Sequence, residues 1–283
     1  MSNACVDEEA PASRWPTENP PALVRVEDDA AVRVITLAHP ARRNALSLAM
    51  IGALHAALRE AAANAAIRVV ILAGDGPAFS AGHDLKEIQA ARAGADKGRA
   101  FFGELMAACT AMMLEIRAMP QPVIAAVEGV ATAAGCQLVA TCDLAIAGEV
   151  ARFATPGVNI GLFCSTPMVA LSRNLGNKHA MEMLLTGEMI SADTALTFGL
   201  INRVVEEGEA VAAARELADQ IAAKPAAIVK IGKEAFYRQK EMLLDEAYAY
   251  TGSVMVENML MREAEAGIDA FVTRRPPTAE GSD

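Results

Sequence analysis

With 283 residues, 53% of them apolar, the chain can bury one large core or a core plus an appendage, which excludes a mini-protein. Charges are dispersed, and no uninterrupted apolar stretch reaches the ~20 residues that a membrane-spanning helix needs, so no membrane partner is expected. The formal net charge of -10 sets nucleic acid aside, because phosphate binding needs basic surface; an anionic ligand has to be met by local basic residues.

The first 21 residues are acidic and rich in Pro and Ser, lack the pattern of a secretory signal, and read as a disordered leader. Val24 to Val26 and Ala31 to Leu37 read as strands joined by an acidic turn at Asp28-Asp29. Ser47 to Ala63 then has helical apolar spacing, with Ser47 as N-cap. Val69 to Ala73 is apolar throughout, as buried parallel strands are. After the turn Asp75-Gly76-Pro77 come a short extended piece, Phe79 to Ala81, and a helix, Asp84 to Ala91, in which Asp84 and Glu87 have capping-box spacing. Gly94 to Gly98 reads as a mobile loop. The helical run Phe101 to Ala118 stops before Pro120 and Pro122 and feeds the strand Val123 to Val127.

A helix over Ala134 to Thr141, a strand over Leu144 to Ala147 and a short strand at Ala151 to Phe153 continue the alternation. Beyond Gly157 the pattern is helical: Thr166 to Leu175, Lys178 to Thr186, Ser191 to Phe198, Ala210 to Ala223, Ala226 to Glu241 and Asp245 to Ala264. The fold class is therefore α/β with a helical C-terminal region.

Two segments carry the chemistry: Phe79-Ser80-Ala81-Gly82-His83-Asp84-Leu85 and Ala131-Thr132-Ala133-Ala134-Gly135-Cys136-Gln137. Each follows a strand-like run and opens a helix-like one, so each presents free backbone N–H groups where a helix dipole favours negative charge. Such a cradle suits an oxyanion. The five cysteines (Cys5, Cys109, Cys136, Cys142, Cys164) have no CxxC spacing and read as reduced cytosolic thiols, hence a cytoplasmic location. The four histidines have no metal-ligand spacing, so no metal is expected.

Four patterns in order resemble the crotonase, or enoyl-CoA hydratase/isomerase, superfamily over about residues 22 to 277. They are Val34-Ile35-Thr36-Leu37 to Arg43-Asn44-Ala45-Leu46-Ser47; Phe79 to Lys86; Pro122-Val123-Ile124-Ala125-Ala126-Val127 to Gly135-Cys136-Gln137-Leu138 and Cys142-Asp143; and Ile190-Ser191-Ala192 to Gly199-Leu200. The stretch Gly129 to Ser165 is especially similar to one subgroup. The resemblance implies a spiral of repeated ββα units over 22–205 and a helical trimerisation region over 206–283, assembled as a homotrimer or dimer of trimers.

It also implies that an acyl-CoA thioester places its carbonyl oxygen between the amides of His83 and Ala134, where the family usually has a glycine in place of Ala134. No cofactor is implied beyond coenzyme A as part of the substrate. Arg42, Arg43 and Lys86, with Ala81, Asp84 and Leu85, match positions that meet the coenzyme, and Phe271 with Arg274 matches a C-terminal helix reaching the adenine from a neighbouring subunit.

The two hydratase glutamates correspond to Gln137 and Gly157. An amide orients water but exchanges no proton near neutral pH, and glycine offers nothing, so Gln137 is a candidate for positioning rather than acid–base work. Three functions stand open: an enolate-stabilising enzyme of hydratase or isomerase type, a non-catalytic acyl-CoA binder, and a malonyl- or methylmalonyl-CoA-type decarboxylase, which needs an oxyanion hole but no base to start. The Asp84 carboxylate reads as a helix cap rather than a base. Cys164 reads as a small packing residue, with no histidine nearby in sequence to activate it.

Overall fold

The computed structural model describes residues 22–273; the expected leader and Arg274 lie outside them. Strand, strand and helix recur along the first part of the chain. Strands β1 (Val24–Asp29) and β2 (Val32–Leu37) lead to helix α1 (Leu48–Ala63), and β3 (Val69–Gly74) and β4 (Ala78–Ser80) lead to α2 (Leu85–Ala91) and α3 (Arg99–Ala118). Next, β5 (Val123–Val127) and β6 (Val130–Thr132) lead to α4 (Ala134–Thr141). Finally β7 (Leu144–Gly148) and β8 (Arg152–Ala154) lead through a 3-10 turn at Pro156–Ile160 to α5 (Ser165–Asn174). The remainder comprises α6 (Asn177–Thr186), β9 (Ile190–Ser191), α7 (Ala192–Phe198), β10 (Arg203–Val205), α8 (Ala210–Ala222), α9 (Ala226–Gln239), α10 (Leu244–Met259) and α11 (Arg262–Thr273).

From the second repeat onward, each turn of the spiral gives one strand to each of two sheets. The larger has the order β1-β2-β3-β5-β7-β10 and the smaller β4-β6-β8-β9. Apart from β1–β2 and β8–β9, the paired strands are parallel.

Strand β3 shows why an unbroken apolar run is needed. Val70 and Leu72 point into the main core with Leu54 and Leu58 of α1, while Val69, Ile71 and Ala73 face a second core against α8. Ala210, Ala214 and Ala218, one turn apart on α8, let that helix lie close on the sheet. Both faces of the strand are thus covered. Helix α9 is fixed differently: Lys233 Nζ donates to the carbonyls of Ile116 and Gln121 and to Asp143 Oδ2 at 2.8, 2.8 and 2.7 Å. Asp143 also accepts from Tyr237 Oη and from the Val123 amide, both at 2.7 Å.

Several expectations shift. Asp28 and Asp29 belong to β1, and the chain reverses at Ala30, whose φ is 52°. Arg33 on β2 holds Asp28 in the strand pair through two hydrogen bonds of 2.7 and 2.8 Å. The helix expected over Asp245 to Ala264 is two, α10 and α11, because the chain breaks at Leu260 and Met261. Ser47 caps α1 as expected, its Oγ accepting from the Met50 amide at 3.1 Å. Among the described residues, no helix is long and apolar enough to cross a membrane.

Candidate active site

Strands β4 and β6 run side by side in parallel, Ala78 beside Val130 and Ser80 beside Ala131, and deliver two turns to the same end of the smaller sheet. The turns pack backbone against backbone. Gly82 has φ 83°, and a Cβ there would stand 2.9 Å from the Thr132 carbonyl oxygen and 3.1 Å from the Ala134 nitrogen. A Cβ on Gly135 would stand 2.2 Å from the Ser80 carbonyl oxygen. Only glycine permits these approaches.

Between them Ala133 adopts φ 50° and ψ -118°, a conformation costly for a residue with a side chain, and so turns β6 sharply into α4. The Ala134 amide, in a residue 1% exposed, is the first of α4, and among the described residues it donates to no protein acceptor. The same holds for the half-buried amide of His83. Buried N–H groups without acceptors are rare, and two meet here with the positive end of the α4 dipole.

The first turn is braced from residues 39–46. Asn44, fully buried with φ 51°, donates through Nδ2 to the carbonyls of Asp75 and Ala78 at 2.9 and 2.8 Å and accepts from the His39 amide at 2.8 Å. Ser80 Oγ donates to the Asn44 carbonyl at 2.9 Å and accepts from the Gly82 amide at 3.3 Å. The Ala81 amide donates to Arg43 O at 3.0 Å and the Leu46 amide to Gly82 O at 2.7 Å. Asn44 and Ser80 fall inside the sequence motifs, but no pattern there assigns either a bracing role. Asn before a helix cap, a residue type tolerant of positive φ, was the available signal for the first.

His83 Nδ1 lies 3.2 Å from the Leu46 carbonyl. A carbonyl only accepts, so Nδ1 carries the proton and Nε2 a lone pair, which is buried without a partner. Burial pushes the imidazole pKa down, against a smaller upward pull from the Leu46 hydrogen bond, and keeps the ring neutral. Gln137 lies one helical turn beyond Ala134 on the same face of α4; it is 6% exposed, and its Oε1 is unpartnered.

Gly157 is buried in the 3-10 turn, and a Cβ there would meet the Leu162 carbonyl oxygen at 2.8 Å and Cys164 Sγ at 2.9 Å. No side chain can stand at that position without displacing the backbone. Burial pushes the Cys164 thiol pKa up, offset in part by a hydrogen bond from the Gly157 backbone, so the group is a protonated packing element.

Asp84 caps α2: Oδ1 accepts from the Lys86 amide at 2.8 Å, and Oδ2 stands 3.5 Å from Arg42 Nη1. The expected reciprocal partner does not complete a capping box, because Glu87 Oε2 accepts instead from the Leu48 amide at 3.0 Å and ties α2 to α1. Arg42, Arg43, Leu85 and Lys86 are exposed around this turn. Phe271 is elsewhere: it is 87% exposed on α11, beside Met255 and Met259 of α10. The four cysteines among the described residues are free and buried, and no group there of three or more His, Cys, Asp or Glu could hold a metal.

Fold and site together define an α/β protein of two parallel-rich sheets with a pair of unspent backbone amides at one end of the smaller sheet. Residues 27–282 match the family model for enoyl-CoA hydratase/isomerase, and the chain belongs to that family. It is 44% identical over 270 residues to rat (Rattus norvegicus) enoyl-CoA hydratase domain-containing protein 3, mitochondrial, covering 95% of this chain and 88% of the relative. The crystal structure of the human protein of that name superposes with a TM-score of 0.85 at 44% identity, over 90% of this chain and 99% of the other. An enoyl-CoA hydratase structure from Mycobacterium smegmatis gives 0.85 at 49% identity, over 90% and 98%. The fold is that of the crotonase superfamily.

Proposed function

We propose that this chain binds an acyl-CoA thioester with the carbonyl oxygen between the His83 and Ala134 amides and stabilises the enolate that forms when charge moves onto that oxygen. The observation that carries the reading is the pair of acceptor-free amides held together by the glycine contacts of Gly82 and Gly135. Donors so placed are each worth about 3 kcal/mol in a transition state. Arg42, Arg43 and Lys86, with Ala81, Asp84 and Leu85 alongside, meet the coenzyme from one side. Phe271 does so from a neighbouring subunit of a homotrimer or dimer of trimers. The exposed apolar residues of α10, α11 and the break between them, Leu260 at 76% and Phe271 at 87% among them, support such an assembly.

Two-glutamate hydration is not the expected reaction. Gln137 exchanges no proton near neutral pH, and the backbone around Gly157 has no room for a carboxylate. That observation favours a second reading, a non-catalytic acyl-CoA binder. Crotonyl-CoA separates them: loss of its absorbance far above background removes the binder, whereas tight binding without turnover removes the hydratase. Carbon dioxide release from malonyl-CoA and methylmalonyl-CoA tests decarboxylation in the same preparation. The rat and human relatives are named as mitochondrial; a cytoplasmic location for this chain rests on its reduced-thiol reading alone.

A further inference from the structure

A cavity of about 150 Å³ lies between α3, α4, α5 and α9. Gln137, Ala140 and Thr141 line it, all on the face of α4 that starts with Ala134. Its walls there are apolar, chiefly Met113, Leu114 and Val169. At its rim stand Arg117, Arg173 and Lys240. Their other contacts leave charge to spare. Arg117 lies 4.4 Å over the Tyr237 ring and Lys240 donates to the Arg173 carbonyl at 2.8 Å; among the described residues neither has a carboxylate partner. Arg173 meets one, the exposed Glu241, at 3.3 Å. Three cations around one apolar opening run against the chain's net charge of -10. Gln137, also on the lining, is 6% exposed, and its unpartnered Oε1 asks for a hydrogen-bond donor.

We infer that this cavity takes the distal part of the acyl group and selects acyl chains of about six carbons that end in a carboxylate. The size follows from comparison with cavities of about 150 Å³ that admit benzene. The terminal charge is met by the Arg117, Arg173 and Lys240 rim, and Gln137 Oε1 accepts from a water or hydroxyl near the thioester end. The inference rests on the acyl-CoA reading proposed above and specifies its substrate class.

Binding of adipyl-CoA, hexanoyl-CoA, acetyl-CoA and free coenzyme A to the full chain, measured by calorimetry, tests it. Adipyl-CoA is expected to bind at least about tenfold more tightly than hexanoyl-CoA, as a charge-assisted contact gives. Arg173→Gln with Lys240→Gln should abolish that preference and leave hexanoyl-CoA unchanged. Ala170→Phe, at the cavity wall, should weaken both six-carbon ligands while acetyl-CoA binding persists and reports an intact fold. Equal affinity for the two six-carbon thioesters, or equal losses in the charge variants, overturns the inference but leaves the acyl-CoA reading standing. Failure of every thioester to bind better than free coenzyme A overturns both.

Discussion

Replacing Gly135 by Ala puts a methyl group where the two turns of the site touch. The added Cβ would stand 2.2 Å from the Ser80 carbonyl oxygen and 2.8 Å from Ser80 Cβ. An ordinary carbon–oxygen contact is about 3.3 Å, so β4 and the start of α4 must part by about 1 Å. Such overpacking costs about 1–3 kcal/mol of stability. It also pulls the His83 and Ala134 amides out of register. Two neutral hydrogen bonds are together worth about 2 kcal/mol, and their loss weakens acyl-CoA binding about 30-fold. Gly52→Ala is the control: Gly52 is an exposed interior position of α1, and its Cβ would meet nothing within 4 Å. There the change should stabilise by about 0.5–1 kcal/mol and leave binding untouched. Urea unfolding and calorimetry with hexanoyl-CoA measure both effects. A Gly135→Ala protein as stable and as tightly binding as the Gly52→Ala protein would refute the claim that backbone contact between the turns aligns the amides.

Ala133→Gly relieves a conformation costing about 1–3 kcal/mol against about 0.4–1 kcal/mol of added chain entropy in the unfolded state. A rise in thermal midpoint is expected, and a fall would show that Ala133 is not strained. Lys233→Met leaves the carbonyls of Ile116 and Gln121 and the Asp143 carboxylate short of a donor, which should cost about 3–5 kcal/mol in urea unfolding; a change below about 1 kcal/mol contradicts the assigned role of this network. Stability should decline in alkali. Burial pushes the thiols of Cys109 and Cys136 up to about 11 and about 12 from the ordinary 9.0, and raises the Tyr237 hydroxyl as well. Above pH 9 the unfolded chain therefore loses protons that the folded chain keeps, and stability falls with a slope of up to about 1.4 kcal/mol per unit for each group. Cys109→Ala with Cys136→Ala should flatten the pH 9–11 part of that curve, and an unchanged slope would count against buried, protonated thiols.

The sequence was most legible where one short segment does one thing. The helix at Ala134 to Thr141 follows directly from its apolar run between a strand and Cys142. Strand β6 was missed because three residues, Val130 to Thr132, carry too little periodicity; β9 and β10 are as short and owe their place to partners far along the chain. Distance hides polar networks for the same reason. Nothing near Lys233 announces Asp143, 90 residues earlier, and Glu87 was assigned to its own helix although its partner is the Leu48 amide. In the site, the two amides could be placed from segment pattern and family resemblance. Their bracing by Asn44 and Ser80, and the cavity that Gln137 lines, required the chain to be folded.

The central claim is that the His83 and Ala134 amides grip a thioester carbonyl. Infrared difference spectra of hexanoyl-CoA, with and without carbon-13 at C1, would isolate that carbonyl stretch in the bound ligand. Two donors polarise the bond, so the band should move to lower frequency on binding, and Gly135→Ala should return it toward its position in solution. Tightly bound hexanoyl-CoA with an unshifted carbonyl band would contradict the account.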